Sequence, residues 1–198
     1  MIKKLIIKIK PLYRALKYFK RKWIGVDDDE RGISGKELQI VLDYSKEGGL
    51  FLEIGCSLGQ TTKRLSEKGF VVGIDPYIID ERGLISGMYW EDMTRKFMES
   101  ISLKNVCYFP MKSEDVKPIW EKLFKGEFDL IFVDGLHTYE QVKKDYDWLK
   151  HLKRDGYIIF HDTHFPKIDK FIQELPMKEL ELIKVEGGAK VFRRKQDE

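Results

Sequence analysis

At 198 residues, 42% hydrophobic and 35% charged, the chain has the composition of a soluble globular protein long enough for one well-cored domain. Its two cysteines, Cys56 and Cys107, have neither disulfide-framework nor metal-type spacing, so a reducing cytoplasm is the default expectation. The net charge of +3 divides unevenly: residues 1–23 carry nine Lys or Arg and no acid, leaving −6 on the remainder. Basic surface is thus confined to an appendage, which argues against a nucleic-acid-binding body.

The appendage, residues 1–33, reads as a basic amphipathic arm preceding a domain over 34–198. Leu5, Ile9, Leu12, Leu16, Phe19 and Trp23 recur at three- and four-residue spacing, one apolar helical stripe, with Pro11 suited to a first helical turn. Such a helix packs on its own domain or on a second subunit of a homo-oligomer. Alternatively it lies on an anionic membrane surface, making the protein peripheral to the inner face of the membrane. No run of about 18 apolar residues predicts a spanning helix. Lys8 and Lys10 interrupt the first apolar stretch, which makes it a poor signal peptide.

After the acidic turn Asp27 to Glu30, residues 34–44 read as a helix. The stretch Leu50 to Thr62, LFLEIGCSLGQTT, then carries the first chemistry. A strand over 50–54 runs into Glu53, Gly55 and Gly59 bracket a short loop, a helix follows over 60–68, and a second strand over 70–74 ends at Asp75. Strand, glycine turn, helix, strand and acid are the plan of a nucleotide-binding βαβ unit. Glycine lets the backbone turn tightly against a ligand, and an acid at the second strand tip can accept hydrogen bonds from both ribose hydroxyls. The spacing Glu53-x-Gly55-x-x-x-Gly59 departs from the G-x-G-x-x-G that seats a pyrophosphate on a helix N-terminus. A carboxylate at Glu53 instead suits the ammonium and sulfonium charges of S-adenosyl-L-methionine. The pattern resembles the first motif of class I S-adenosylmethionine-dependent methyltransferases, and Asp75 matches their ribose-binding acid. The candidate cofactor-binding residues are Glu53, Gly55, Cys56, Ser57, Gly59, Asp75, Tyr77 and Ser113.

A long segment over 77–104 comes next. With Gly83, Gly87, Tyr89 and Trp90 it suits a lid over an acceptor, or a plain packed helix. Strand 106–110, helix 113–123, strand 128–133, helix 138–152 and strand 157–161 follow. Ser113 with Glu114 stands where such folds contact adenine, and Ser113 also suits an N-cap. The strands are short continuous apolar runs, as expected where helices cover both faces of a parallel sheet. Leu180 to Val185, Gly187-Gly188 and Ala189 to Arg193 break the alternation as a hairpin. The predicted fold class is α/β, a Rossmann-like seven-stranded, mostly parallel sheet with a C-terminal antiparallel hairpin and helices on both faces.

Two strand tips are loaded with chemistry. Strand 128–133 ends in Val133-Asp134-Gly135-Leu136-His137-Thr138-Tyr139, and strand 157–161 in His161-Asp162-Thr163-His164. Ligands of open α/β sheets bind beyond such carboxyl ends, where Asp134, His161 and Asp162 can converge. Two carboxylates with one imidazole suit Mg²⁺ or Mn²⁺, the imidazole leaning toward Mn²⁺. The block D-G-x-H-x-Y, the helix motif Asp145 to Trp148 and the later H-D pair resemble the metal-dependent small-molecule and sugar O-methyltransferases of class I. That group includes relatives of macrolide-sugar methyltransferases and of the cephalosporin hydroxylase group. The resemblance covers roughly residues 50–165 and implies that Asp134, His161 and Asp162 are metal ligands, although several members carry an acid where this chain has His161. It also implies a divalent cation that lowers the pKa of an acceptor hydroxyl, most readily on a saccharide or other small molecule. His137 is the first candidate base and His164 the second; either could instead orient a ligand. Methylation of a catechol-type aromatic diol and a non-catalytic cofactor-binding subunit are the rival expectations.

Overall fold

A computed structural model describes residue 33 and residues 35–57, 59–76 and 105–196. The predicted arm helix, Tyr77 and the segment over 77–104 lie outside the described residues. Within them the sheet has seven strands: β1 (Leu50–Ile54), β2 (Phe70–Ile74), β3 (Val106–Phe109), β4 (Phe128–Val133), β5 (Leu152–Phe160), β6 (Leu180–Glu186) and β7 (Ala189–Arg194). Their spatial order is β3-β2-β1-β4-β5-β7-β6. The first five pair in parallel, whereas β7 runs antiparallel between β5 and β6. This is the Rossmann-like fold with a terminal hairpin that the apolar runs imply. The strand order reverses between β1 and β4, and ligands bind at such a switch point.

Alternation along each central strand divides the core in two. Leu52, Ile54, Val72, Ile74, Ile131, Val133, Ile158 and Phe160 face one side. There they meet α3 (Ser113–Leu123) through Val116 and Trp120, α4 (Tyr139–Tyr146) through Val142, and α5 (Pro166–Gln173) through Ile168 and Phe171. Phe51, Val71, Leu130, Phe132 and Ile159 face the other, covered by Ile40 and Val41 of α1 (Gly35–Asp43) and Leu65 of α2 (Gln60–Ser66). Burial on both faces is why these strands lack polar alternation.

Two elements differ most in extent from the sequence reading, and one helix is additional. The helix predicted over 138–152 ends at Tyr146 and tightens into a 3₁₀ turn, Asp147–His151, that buries Trp148 and Leu149 beneath the sheet. β5 begins at Leu152, five residues early, because Leu152 pairs with Phe128 across a bulge although Lys153 to Asp155 look like a turn. Helix α5 was not expected at all. Its signals are Pro166 in the first turn and the stripe Ile168, Phe171, Ile172, in a segment short enough to pass for a loop.

Candidate active site

The turn after β1 uses left-handed backbone at three of its described residues. Gly55 (φ 95°), Ser57 (φ 45°) and Gly59 (φ 78°) all lie in that region. At Gly55 a side chain is also sterically excluded: a Cβ would stand 2.1 Å from the Asp134 carbonyl oxygen. The missing side chain lets this loop touch the residue that follows β4. The Ser57 N–H donates to Asp75 Oδ2 at 2.9 Å, tying the loop to the tip of β2. The Asp75 carbonyl accepts from the Tyr108 hydroxyl at 2.7 Å.

The side chains of Glu53 and Cys56 sit beneath this loop. Cys56 is buried, its Sγ against Gly73 and 3.7 Å from the Glu53 carbonyl, so only its backbone faces the loop's outer side. Glu53 is 1% exposed and accepts a hydrogen bond from Thr62 Oγ1 at 2.5 Å. Burial pushes its carboxyl up to about 8, Thr62 opposes the rise, and Asp134 and Asp75 add to it. The charged carboxylate expected from the sequence is therefore neutral near pH 7 until a cation faces it.

Ser113 opens α3, but Lys112 occupies the N-cap position, and the Ser113 hydroxyl donates to Asp145. Gln141 Nε2 completes this buried knot, donating to Asp145 Oδ1 at 3.0 Å and to Glu114 Oε2 at 3.2 Å. Burial raises Asp145 to about 6 despite the Ser113 and Gln141 donors. Capping is therefore not the serine's task. Its hydroxyl joins the start of α3 to α4.

At the tips of β4 and β5 the predicted convergence occurs. Val133 pairs with Phe160, and the His161 N–H donates to the Val133 carbonyl at 3.0 Å, so Asp134 and His161 leave the sheet side by side. His161 Nδ1 lies 2.9 Å from Asp134 Oδ1 and 3.5 Å from Asp162 Oδ2. One ligand atom from each of the three falls within 4.8 Å of the others. Octahedral bonds of about 2.1 Å give neighbouring ligand atoms about 3.0 Å apart, which the separation of His161 Nδ1 from Asp134 Oδ1 matches. Two carboxylates and an imidazole fit a hard divalent cation tolerant of one nitrogen.

His137 Nε2 is 2.9 Å from Asp162 Oδ2 and 3.9 Å from Asp134 Oδ1. Asp134 and then Asp162 raise its pKa against the effect of burial. Burial works to raise Asp134, yet hydrogen bonds with His137 and His161 hold it below the usual carboxylate range. His161 rises to about 9, burial being outweighed by Asp134, Glu37 and Asp162. His164 stands further out, largely exposed, with Nδ1 3.8 Å from Asp162 Oδ1.

A family model described as "Methyltransferase domain" matches residues 52–163, more than half of the chain, and spans both the donor loop and the β4 and β5 tips. The chain belongs to this methyltransferase domain family. A curated relative, the uncharacterized protein R132 of Acanthamoeba polyphaga mimivirus, is 27% identical over 148 residues, 67% of this chain. The chain spans 63% of that relative's length. In fold it resembles the O-methyltransferase TomG of Streptomyces achromogenes, solved with S-adenosylmethionine (TM-score 0.62, 16% identity, 83% of this chain and 82% of that one). It also resembles CalS11, a TDP-rhamnose 3′-O-methyltransferase of calicheamicin biosynthesis (TM-score 0.54, 13% identity, 79% of this chain and 76% of that one).

Two residues of this methyltransferase domain went unnoticed in the sequence. Phe165 stacks on the His137 ring at 5.1 Å and 15° and lies 4.5 Å from the His164 ring, so one aromatic side chain steadies both candidate bases. Glu37 reaches from α1, 124 positions away in sequence, to place Oε2 3.2 Å from His161 Nε2. Phe165 could have been suspected from its neighbours His164 and Pro166. Glu37 had no signal beyond being an acid in a first helical turn. Among the described residues no helix is long and apolar enough to cross a membrane.

Proposed function

We propose that the protein is a divalent-cation-dependent O-methyltransferase acting on a hydroxyl of a small molecule, most naturally a saccharide or glycoconjugate. The observation that carries this reading is the meeting of Asp134, His161, Asp162 and His137 beside a glycine loop that touches Asp134. In the proposed chemistry Asp75 accepts the donor's ribose hydroxyls, and the loop of Gly55, Ser57 and Gly59 holds the donor close to the tip of β4. Asp134, His161 and Asp162 would hold the cation, which supplies Lewis acidity that lowers the acceptor hydroxyl's pKa. His137 Nε2 takes the hydroxyl proton. Once Asp134 and Asp162 are engaged with a cation they no longer favour imidazolium at His137, which then rests in the neutral form a base requires. The acceptor oxygen attacks the methyl carbon as its bond to sulfur breaks, leaving S-adenosylhomocysteine. The chain's residues contribute mostly positioning and charge placement.

What surrounds the base supports this acceptor class. Leu136 is 66% exposed and Phe165 40% exposed beside His137, giving one apolar and one aromatic surface at the mouth of the site. A sugar ring presents C–H faces that suit such a surface. A flat aromatic diol suits it too, and catechol-type methylation is the second reading on that ground.

Calorimetry tests the donor: S-adenosylmethionine or S-adenosylhomocysteine should bind, and Asp75→Ala should lose most of that binding. Asp134→Ala and Asp162→Ala should abolish cation-dependent turnover with donor binding nearly intact. Turnover unchanged by a chelator would sink the cation, and binding of NAD in place of S-adenosylmethionine would sink the whole reading.

A further inference from the structure

The imidazole of His161 has two nitrogens, and the fold gives each a different task. Nδ1 faces Asp134 and Asp162, whereas Nε2 faces Glu37 Oε2. An imidazole binds a cation only through an unprotonated nitrogen, and the hydrogen bond made by the other nitrogen decides which one that is. A carboxylate can only accept, so without a cation Asp134 and Glu37 each hold a proton on the ring nitrogen that faces it; when a cation takes the place of the Nδ1 proton, Glu37 keeps the other on Nε2.

Glu37 is itself fixed. Its Oε1 accepts from the Gly188 N–H at 2.6 Å, at the turn between β6 and β7. That turn is shaped around the carboxylate: a Cβ at Gly187 would stand 2.6 Å from Glu37 Oε1, and one at Gly188 3.2 Å. The Gly188 carbonyl accepts from Thr163 N at 2.8 Å and Thr163 Oγ1 at 3.0 Å. Thr163 follows Asp162, a non-glycine residue held at φ 54°. The contacts form a closed circuit, from Glu37 through Gly188 and Thr163 to the His161-Asp162 pair and back to Glu37. The circuit holds a strained backbone in place, as ligand clamps do.

From this juxtaposition we propose that Glu37 is the positioning residue of the cation site. It fixes the tautomer and ring orientation of His161 so that Nδ1 is the ligand atom, and it couples helix α1 and the β6–β7 turn to the site. The inference rests on the reading of Asp134, His161 and Asp162 as a cation site.

Glu37→Gln tests it with little change in shape. Its amide oxygen still accepts from the Gly188 N–H, but its nitrogen can only donate toward His161 Nε2. The imidazole proton moves to Nδ1, and the ligand atom is blocked. Mn²⁺ binding to the full chain is measured by calorimetry, and the ¹⁴N modulation of a ligated imidazole by pulsed electron paramagnetic resonance. Wild type should bind Mn²⁺ with the ¹⁴N signal, and Glu37→Gln should bind about 10- to 100-fold more weakly and lose it. Melting temperature and S-adenosylhomocysteine binding should stay near wild type, which a merely structural role for Glu37 would not predict together with the lost signal. In a His161→Ala background, where there is no ring to orient, the same substitution should change Mn²⁺ affinity less than about twofold. Wild type that binds no Mn²⁺ overturns the cation reading and this inference together. Wild type and Glu37→Gln that bind alike, both with the ¹⁴N signal, overturn the role of Glu37 alone.

Discussion

Replacing Glu53 by Gln keeps the side chain's shape and its acceptor for Thr62 Oγ1, and removes only the ability to ionise. In the folded protein the Glu53 carboxyl holds its proton up to about pH 8, whereas an ordinary glutamate in an unfolded chain loses it near 4.5. The native state therefore binds more protons than the unfolded state across that window, and stability falls as pH rises through it. Each unit contributes about 1.4 kcal/mol, so by pH 7 wild type has lost about 3 kcal/mol that Gln does not lose. Denaturant melts from pH 4 to pH 8, without donor, should show the variant's stability relative to wild type rising by about 4 kcal/mol in all. Groups with no charge coupling to Glu53 titrate equally in both proteins and cancel from the difference. Donor binding gives the opposite sign, because the ionised carboxylate is the form that suits a cationic ammonium. The substitution should weaken S-adenosylmethionine binding by about tenfold or more, the range of a charged hydrogen bond. It should also abolish the proton release that wild type shows when calorimetry is repeated in buffers of different ionisation enthalpy. Stability curves that run parallel from pH 4 to pH 8 would refute the reasoning, since they would mean that Glu53 ionises in its buried place at no cost.

Gly55→Ala should impair donor and cation binding together, because its Cβ would meet the Asp134 carbonyl and force the loop and the β4 tip apart; calorimetry with each ligand checks both. His161, raised to about 9, should stabilise the cation-free protein below about pH 6.5 and lose that contribution as pH climbs through 9, a decline that melts of His161→Asn should lack. Trp148→Ala, emptying a fully buried site beneath β4 and β5, should cost about 3–5 kcal/mol in a denaturant melt without changing the ligand residues. Deleting residues 1–23 should remove binding to anionic liposomes if the arm lies on membranes; a change in oligomeric mass without liposome binding would favour the packing alternative.

Much of this protein was legible in one dimension because its signals are local. The apolar runs that became β1, β2 and β4 are short, bounded and buried on both faces, and no other element fits them. Glu53, Gly55, Gly59 and Asp75 could be read together because a single strand–loop–helix–strand unit joins them. Asp134 and His161-Asp162 could be paired across 27 positions because each ends a strand, and parallel neighbours bring their ends together. Where the local signal conflicted with packing, the reading failed. Lys153 to Asp155 look like a turn, but pairing of Leu152 with Phe128 makes them strand. Residues 147–151 continue a helical pattern, but burying Trp148 tightens them into a 3₁₀ turn.

The sequence by itself determined the order of the strands and of every described helix but α5, the glycine loop, and which side chains stand at the strand tips. These follow from hydrophobic period and backbone preference, which act over a few residues. Tertiary structure alone decided the state and partners of those side chains. Burial turns Glu53 into an acid that keeps its proton to about pH 8. Phe165 steadies His137, and Glu37 reaches His161 only because α1, β5 and the β6–β7 turn pack at one corner of the sheet. Desolvation and contacts between distant segments exist only once the chain has closed on itself, so no spacing rule along the chain can carry them.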